Sequence, residues 1–417
     1  MARGTVHIIG AGLAGLSAAV SLTGEDRKIV LHELARHAGG RCRSYFEPAL
    51  GLTIDNGNHL LLSGNRAALA FLKAVDGSDL LVGPDAAEFA FADAASGQRW
   101  SVRPNMGPVP WWIFSRRRRV PETSAFDYLP LARLLRVRGD ETLGDVLSCS
   151  GTLYHRLLRP VFLAALNTDP PDASAALAGA VVRETLAKGG WASRPLIAQD
   201  GLGTAFVDPA IAYLRRHGVE IRFDHQLRAL DLADDRVRAL EFGEDRIDLG
   251  NDDAVILAVP GWVAPSFVRG LSAPRKYSAI LNAHFKIAAP LGFPNILGVL
   301  NATTEWVFAF PGRISVTVSA ADRFIEAERE PLARQIWAEV AGLTGQSGEL
   351  PPWHLVKERR ATFAALPQEN ARRPSPRTRW HNLVLAGDWT ATGLPATIEG
   401  AIRSGTRAAD LLRATVS

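Results

Sequence analysis

A chain of 417 residues exceeds the roughly 250–300 residues at which single hydrophobic cores stop growing, so two intimately joined domains are expected rather than a small binding module. Hydrophobic residues at 47% and charged residues at 22% are the proportions of a packed globular protein and exclude a disordered, fibrous or collagen-like chain. The net charge of +4 rests mostly on dispersed arginines with no nucleic-acid motif beside them, which argues against nucleic acid as a partner.

The N-terminus lacks the basic, apolar and small-residue succession of a signal peptide, and no run of about 18 apolar residues occurs, so a cytoplasmic, non-spanning protein is expected. Thr5–Ile9 is a β-branched, mostly apolar run. Gly10, Gly12 and Gly15 follow in G-x-G-x-x-G spacing, with Leu13, Leu16 and Val20 at helical intervals and Leu13 and Ala14, inside the glycine motif, expected to bind the cofactor. Strand, tight turn and helix in this order imply a dinucleotide, its pyrophosphate at the positive helix end. A second strand ends at Glu33, 18 residues beyond Gly15, where a carboxylate would accept ribose hydroxyls. Gly39, Gly40 and Arg41 come next, and then the run I-D-N-G-N-H-L-L-L at 54–62. Cys42 and Cys149 share no ligand spacing with histidines, so neither a metal site nor a disulfide framework is expected.

Further along, residues 88–93 and 99–103 pattern as a hairpin, and 104–120 place Trp111, Trp112, Ile113 and Phe114 against Arg116, Arg117, Arg118 and Arg119. Tryptophan favours the lipid headgroup boundary and clustered arginine favours anionic lipid, so this segment reads as a membrane-docking loop. Residues 123–190 are helical in pattern, with Asn167 ahead of Pro170 and Pro171, and 205–216 form a helix. Strands are expected at 219–223, 226–232, Val237–Phe242 and 254–259, then at 279–287, Trp306–Phe310 and 314–319, with a helix at 331–343. Residues 382–386 read as a buried strand, Gly387 and Asp388 as a tight turn followed by Trp389, and 395–412 as the closing helix.

The G-G-R segment after Glu33 and the C-terminal run A-G-D-W-T-A-T-G-L-P-A-T-I-E-G-A-I-R-S-G resemble the flavoproteins of the amine oxidase and phytoene desaturase superfamily. The resemblance favours FAD over NAD. It implies that Asp388 binds the ribitol or pyrophosphate, that the backbone at Thr397 and Ile398 meets the flavin pyrimidine edge, and that Leu227 pairs with adenine. The expected fold class is α/β. A discontinuous, Rossmann-like FAD-binding domain would comprise 1–75, 196–262 and 370–417, and a mixed-sheet plus helical substrate domain 76–195 and 263–369, enclosing an apolar tunnel. The 54–62 run and R-P-V-F-L-A-A-L-N-T-D-P-P-D-A-S-A at 159–175 narrow the resemblance to the bacterial hydroxysqualene dehydroxylases of hopanoid synthesis, over nearly the whole chain. Asn58, where that family suggests Gln, is a departure.

The implied chemistry is reductive removal of an allylic hydroxyl from a C30 isoprenoid, hydroxysqualene, to give squalene, at the inner face of the cytoplasmic membrane. Hydroxide leaves poorly, so an acid is required near the flavin, and Asp55, His59 and Glu399 are the candidates. Each has a plain structural alternative: a turn cap, a core histidine and a first-turn carboxylate. Asn167 and Trp389 are candidates for substrate contact or for simple packing. A phytoene-type desaturase, an amine oxidase and a prenyl-lipid carrier are the rival readings, and no second nucleotide fingerprint identifies the reductant.

Overall fold

Apolar runs too short to alternate inside from outside are buried on both faces, as a parallel sheet requires. In the computed structural model, which describes residues 4–414, four such runs and one more polar edge strand pair in parallel. Their order is Glu220–Arg222, Lys28–His32, Thr5–Ile9, Ala254–Leu257 and Leu383–Leu385, so one sheet gathers the beginning, middle and end of the chain. The helices Leu13–Leu22 and Ile398–Ala414 cross in close contact, the gap closed so far that a side chain on Gly405 would collide with the Ala14 carbonyl. An antiparallel ribbon of Ala229–Leu232, Val237–Phe242 and Asp245–Asp248 lies beyond Leu227.

A second, seven-stranded sheet runs Trp353–Phe363, Tyr277–Phe285, Arg313–Val318, Trp306–Phe310, Ile296–Leu300, Phe89–Asp93, Arg99–Val102. It is mixed, because Ile296–Leu300 and Phe89–Asp93 pair in parallel while the other pairs are antiparallel. Period-two alternation divides its faces. Leu281, Ala283, Phe285, Ile314, Val316 and Val318 pack on Leu332, Ile336, Trp337 and Val340 of the helix Arg329–Thr344. The opposite face carries Asn282, His284, Ser315 and Thr317, which pair across the sheet.

Several elements differ from the sequence pattern for local reasons. The closing helix begins at Ile398 rather than 395, because the Thr397 hydroxyl accepts from the Gly400 N–H and acts as the cap. The 205–216 helix is entered through a π turn, Gly203–Val207, before Asp208–Arg216. The region 123–190 breaks into short pieces such as Arg159–Leu166 and Ala175–Glu184, with Asn167 in the left-handed region ending the first. Trp353–Phe363 was not anticipated, since its K-E-R-R stretch hides the alternation. Among the described residues no helix is long and apolar enough to cross a membrane.

Candidate active site

At the first strand's carboxyl end, a side chain on Gly15 would strike the Gly10 carbonyl oxygen, so the helix sits hard against the turn. Gly12 is the opposite case: no heavy atom lies within 4 Å of where its Cβ would be. Gly39 docks alongside, donating its N–H to the Ala11 carbonyl at 2.8 Å, and Gly40 faces Gly12 across the remaining gap. The Glu33 carboxylate spans the Ala11 N–H at 2.7 Å and the Ala35 N–H at 2.9 Å, which holds it at the loop it was expected to serve.

The other end of the chain closes on the same place. Arg41 donates from Nη2 to Asp388 Oδ1 at 2.6 Å and from Nη1 to the Ala361 carbonyl at 2.7 Å. That carbonyl is available because pairing of the long strand jumps from Ser278 opposite Thr362 to Ile280 opposite Glu358, leaving residues 359–361 in a bulge. Gly387 donates its N–H to Ser404 Oγ at 2.8 Å, which ties the turn to the closing helix. Buried Arg373 bonds the carbonyls of Asp388 and Thr390 and the Thr392 hydroxyl, and burial, opposed by Asp388, pulls its pKa down to about 10, so it stays charged.

Three features fit FAD. The space at Gly12 admits a pyrophosphate to the backbone. Among the described residues, the N–H groups of Ile398 and Glu399 have no acceptor, so the 17-residue helix presents open donors at its positive end. The Leu227 peptide N–H and carbonyl are likewise unpaired among the described residues although the residue is buried, which is costly unless a ligand such as adenine's edge completes them.

The candidate acids separate clearly. Glu399 accepts from the N–H groups of Ala67 and Ala68, at 3.1 and 2.8 Å, and pairs with Arg403 at 2.7 Å. Both oxygens are engaged, Oε1 by Arg403 and the Ala67 N–H and Oε2 by the Ala68 N–H, so Glu399 caps the helix Arg66–Ala74, which favours its structural reading over proton donation. Asp55 accepts from Ser44 Oγ at 2.5 Å and from the Leu202 N–H at 2.8 Å, with its pKa raised by burial; these bonds fasten the antiparallel pair Ser44–Glu47 and Leu52–Asp55 to the 201–203 loop. His59 makes no hydrogen bond among the described residues. Burial and the neighbouring Arg41 charge push its pKa down to about 4, so at neutral pH it is an N–H donor and not an imidazolium acid.

The flavin containing amine oxidoreductase model matches residues 13–413. The hydroxysqualene dehydroxylase of Rhodopseudomonas palustris is 55% identical over 98% of each chain, and that of Sinorhizobium fredii 53% identical over 97% of each. An oxidoreductase from Methanosarcina mazei superposes with a TM-score of 0.73 at 15% identity, covering 97% of this chain and 99% of its own, a likeness of fold. The chain belongs to the hydroxysqualene dehydroxylase family. It is an FAD-dependent oxidoreductase of the flavin containing amine oxidoreductase group. In this flavoenzyme, Arg41 and Asp388 join the two motifs that the family likeness rested on.

The flavoenzyme also holds residues that its sequence did not reveal. Asn58 Nδ2 reaches Asn282 Oδ1 at 3.3 Å and Thr317 Oγ1 at 3.1 Å, while its own buried Oδ1 has no partner among the described residues. The available signal was polar residues at i and i+2, N-A-H at 282–284 and S-V-T at 315–317, inside apolar strands. The Asn167 amide donates to the Ser278 carbonyl and Thr362 hydroxyl and accepts from the Ala320 N–H, which engages it in packing, the second of the two readings given for it. Trp389 is buried and donates to the Val259 carbonyl at 2.9 Å, packing on Gly261. In the expected docking loop, Trp112 is buried against Tyr128, and Arg119 is partly buried and bonds the Ile113 carbonyl, so neither projects with its neighbours.

Proposed function

We propose that this chain removes the allylic hydroxyl of hydroxysqualene reductively to give squalene, the hydrocarbon precursor for hopanoids, in the cytoplasm at the inner membrane face. What carries the reading is identity of 45–55% to three hydroxysqualene dehydroxylases over almost the entire chain. Reduced FAD, when bound, supplies the hydride that replaces the departing oxygen. The chain's part is to hold the cofactor through Gly12, Leu227, Asp388 and the head of the closing helix, and to assist departure of the hydroxyl. Of the three candidate acids, His59 is the one with uncommitted ring nitrogens; it would hydrogen-bond the leaving oxygen as a neutral donor, and the proton that completes water would come from solvent. In this reading 1–75, 196–262 and 370–417 hold the cofactor, and 76–195 and 263–369 hold the substrate.

The test is anaerobic single turnover of prereduced enzyme with hydroxysqualene, followed by product mass. Loss of one oxygen atom supports the reading, whereas no product from prereduced enzyme, together with loss of two hydrogens from the substrate when the flavin is supplied oxidised, would make the enzyme a desaturase. His59→Gln should slow the chemical step about tenfold to a hundredfold, as removal of one positioned donor does. Glu399→Gln should leave that step within about twofold and lower only stability, by roughly 1 kcal/mol for a lost cap.

A further inference from the structure

Residues 111–114 and 125–128 form two short 3-10 turns. In such turns residues i and i+3 project from the same side. Trp111 and Phe114 accordingly stand out of the first, 67% and 65% exposed with rings 6.2 Å apart. Phe126 and Leu129, again i and i+3, stand out at the second, 78% and 60% exposed. The turns lie side by side because Trp112 meets Tyr128 edge to face at 5.2 Å, and the Tyr128 hydroxyl accepts from the Val120 N–H at 3.1 Å. Both are braced. Asn105 accepts from the Trp112 N–H and donates to the Gly107 and Val109 carbonyls, while Ser124 and Asp127 cap the second turn reciprocally. The apolar side chains are therefore displayed by a built frame.

Directly after the first turn, Arg116, Arg117 and Arg118 are exposed and have no ion pair among the described residues. The nearby acids are otherwise engaged: Glu122 pairs with Arg156 at 3.3 Å, and Asp127 serves as a cap. We infer that the two turns form one wedge that inserts into a bilayer containing anionic lipid, with the three arginines in its headgroup layer. The inference deepens the proposed function and rests on its substrate being dissolved in a bilayer. It names the surface that meets that bilayer and adds Phe126 and Leu129, which sequence pattern did not connect to the arginine run. Charge complementarity selects the occupant: aromatic residues beside unpaired arginines match the boundary of an anionic membrane. Binding hot spots for protein partners sit in sheltered, well-packed pockets, whereas these four side chains stand free.

The experiment is flotation of the FAD-loaded full chain with vesicles of phosphatidylcholine, alone or mixed with phosphatidylglycerol. Wild type should float with the anionic vesicles, weakly with the neutral ones, and less as salt is raised. Replacing Arg116, Arg117 and Arg118 by Ser should lower partitioning roughly a hundredfold, at about fivefold per arginine, and remove most of the salt dependence. Phe126→Ser with Leu129→Ser should lower it roughly tenfold or more with the salt dependence kept. Flavin absorbance and Tm should not change, since all these side chains are exposed; if the double variant loses flavin, Phe126→Ser alone replaces it. The idea is overturned if wild type ignores anionic vesicles, which would assign the surface to a protein partner, if it binds both vesicle types equally, or if the variants float like wild type. Turnover of detergent-dispersed hydroxysqualene keeps the two readings apart: its absence in wild type refutes the reaction, and its persistence in the variants shows that only docking was lost.

Discussion

Asp388 is buried and answers two arginines in different ways: its carboxylate to Arg41, its carbonyl to Arg373. The first bond crosses from the chain's beginning to its end and the second braces the turn from inside, so the position of Asp388 does not depend on the charge that it offers. Asp388→Asn should therefore keep the turn, while Arg41 loses its charged partner and keeps the Ala361 carbonyl. Breaking a buried ion pair costs about 3–5 kcal/mol, but the Arg41 side chain is one-third exposed, so solvent screening reduces the expected loss to roughly 1–2 kcal/mol. The measurement is Tm together with the ratio of flavin to protein absorbance after purification. A variant that keeps full flavin and full Tm would show that the pair does not join the two motifs.

At the scale of elements, the same residue type performs two separable jobs at Gly12 and Gly405. A methyl group at Gly12 meets no protein atom within 4 Å, whereas at Gly405 it would collide with the Ala14 carbonyl and force the first and last helices apart. Gly12→Ala should leave the stability of the FAD-free protein within about 0.5 kcal/mol of wild type, as for an unobstructed substitution, and abolish FAD retention. Gly405→Ala should lower both, with a stability loss of about 1–3 kcal/mol from overpacking. Apo thermal denaturation beside a flavin titration distinguishes them, and equal behaviour would defeat the assignment. The contrast also shows what was legible in the sequence. The glycine loop and Glu33 could be read because backbone geometry demands those residue types at fixed local spacing, whereas Asp388 was implied only by the resemblance of its segment. Arg373, the Ala361 bulge and the Asn58–Asn282–Thr317 group could not, because each is defined by partners brought together only by the finished sheets. The two exposed turns were half legible: the Trp-Arg run drew notice, but which tryptophan faces outward depends on the threefold repeat of a 3-10 turn, absent from a helical or strand reading.

For the molecule as a whole, buried imidazoles set the pH response. His7 and His32 are bonded at 3.1 Å and His32 and His225 at 2.9 Å; burial first, then neighbouring charges, takes His7 to about 4 and His32 to about 3, and His284 falls well below the usual range. In the unfolded chain these groups titrate near 6.5. As pH falls from 6.5 toward 4, the unfolded state takes up protons that the folded state refuses, so stability falls with pH. Glu305 works the other way: burial raises its pKa to about 7, so the folded state holds a proton between pH 7 and about 4.5 that the unfolded state lacks, and stability rises as pH falls there. His7 and Glu305 are displaced by similar amounts, each equivalent to roughly 3 kcal/mol at about 1.36 kcal/mol per unit, and nearly cancel. His32, His59 and His284 remain uncompensated, so the histidines prevail. The Tm of the FAD-loaded enzyme should be highest near neutrality and drop steeply between pH 6.5 and 4. Glu305→Gln, which removes the opposing carboxyl, should steepen the drop, and a Tm flat across that interval in both proteins would mean that the imidazoles are not held neutral in the fold.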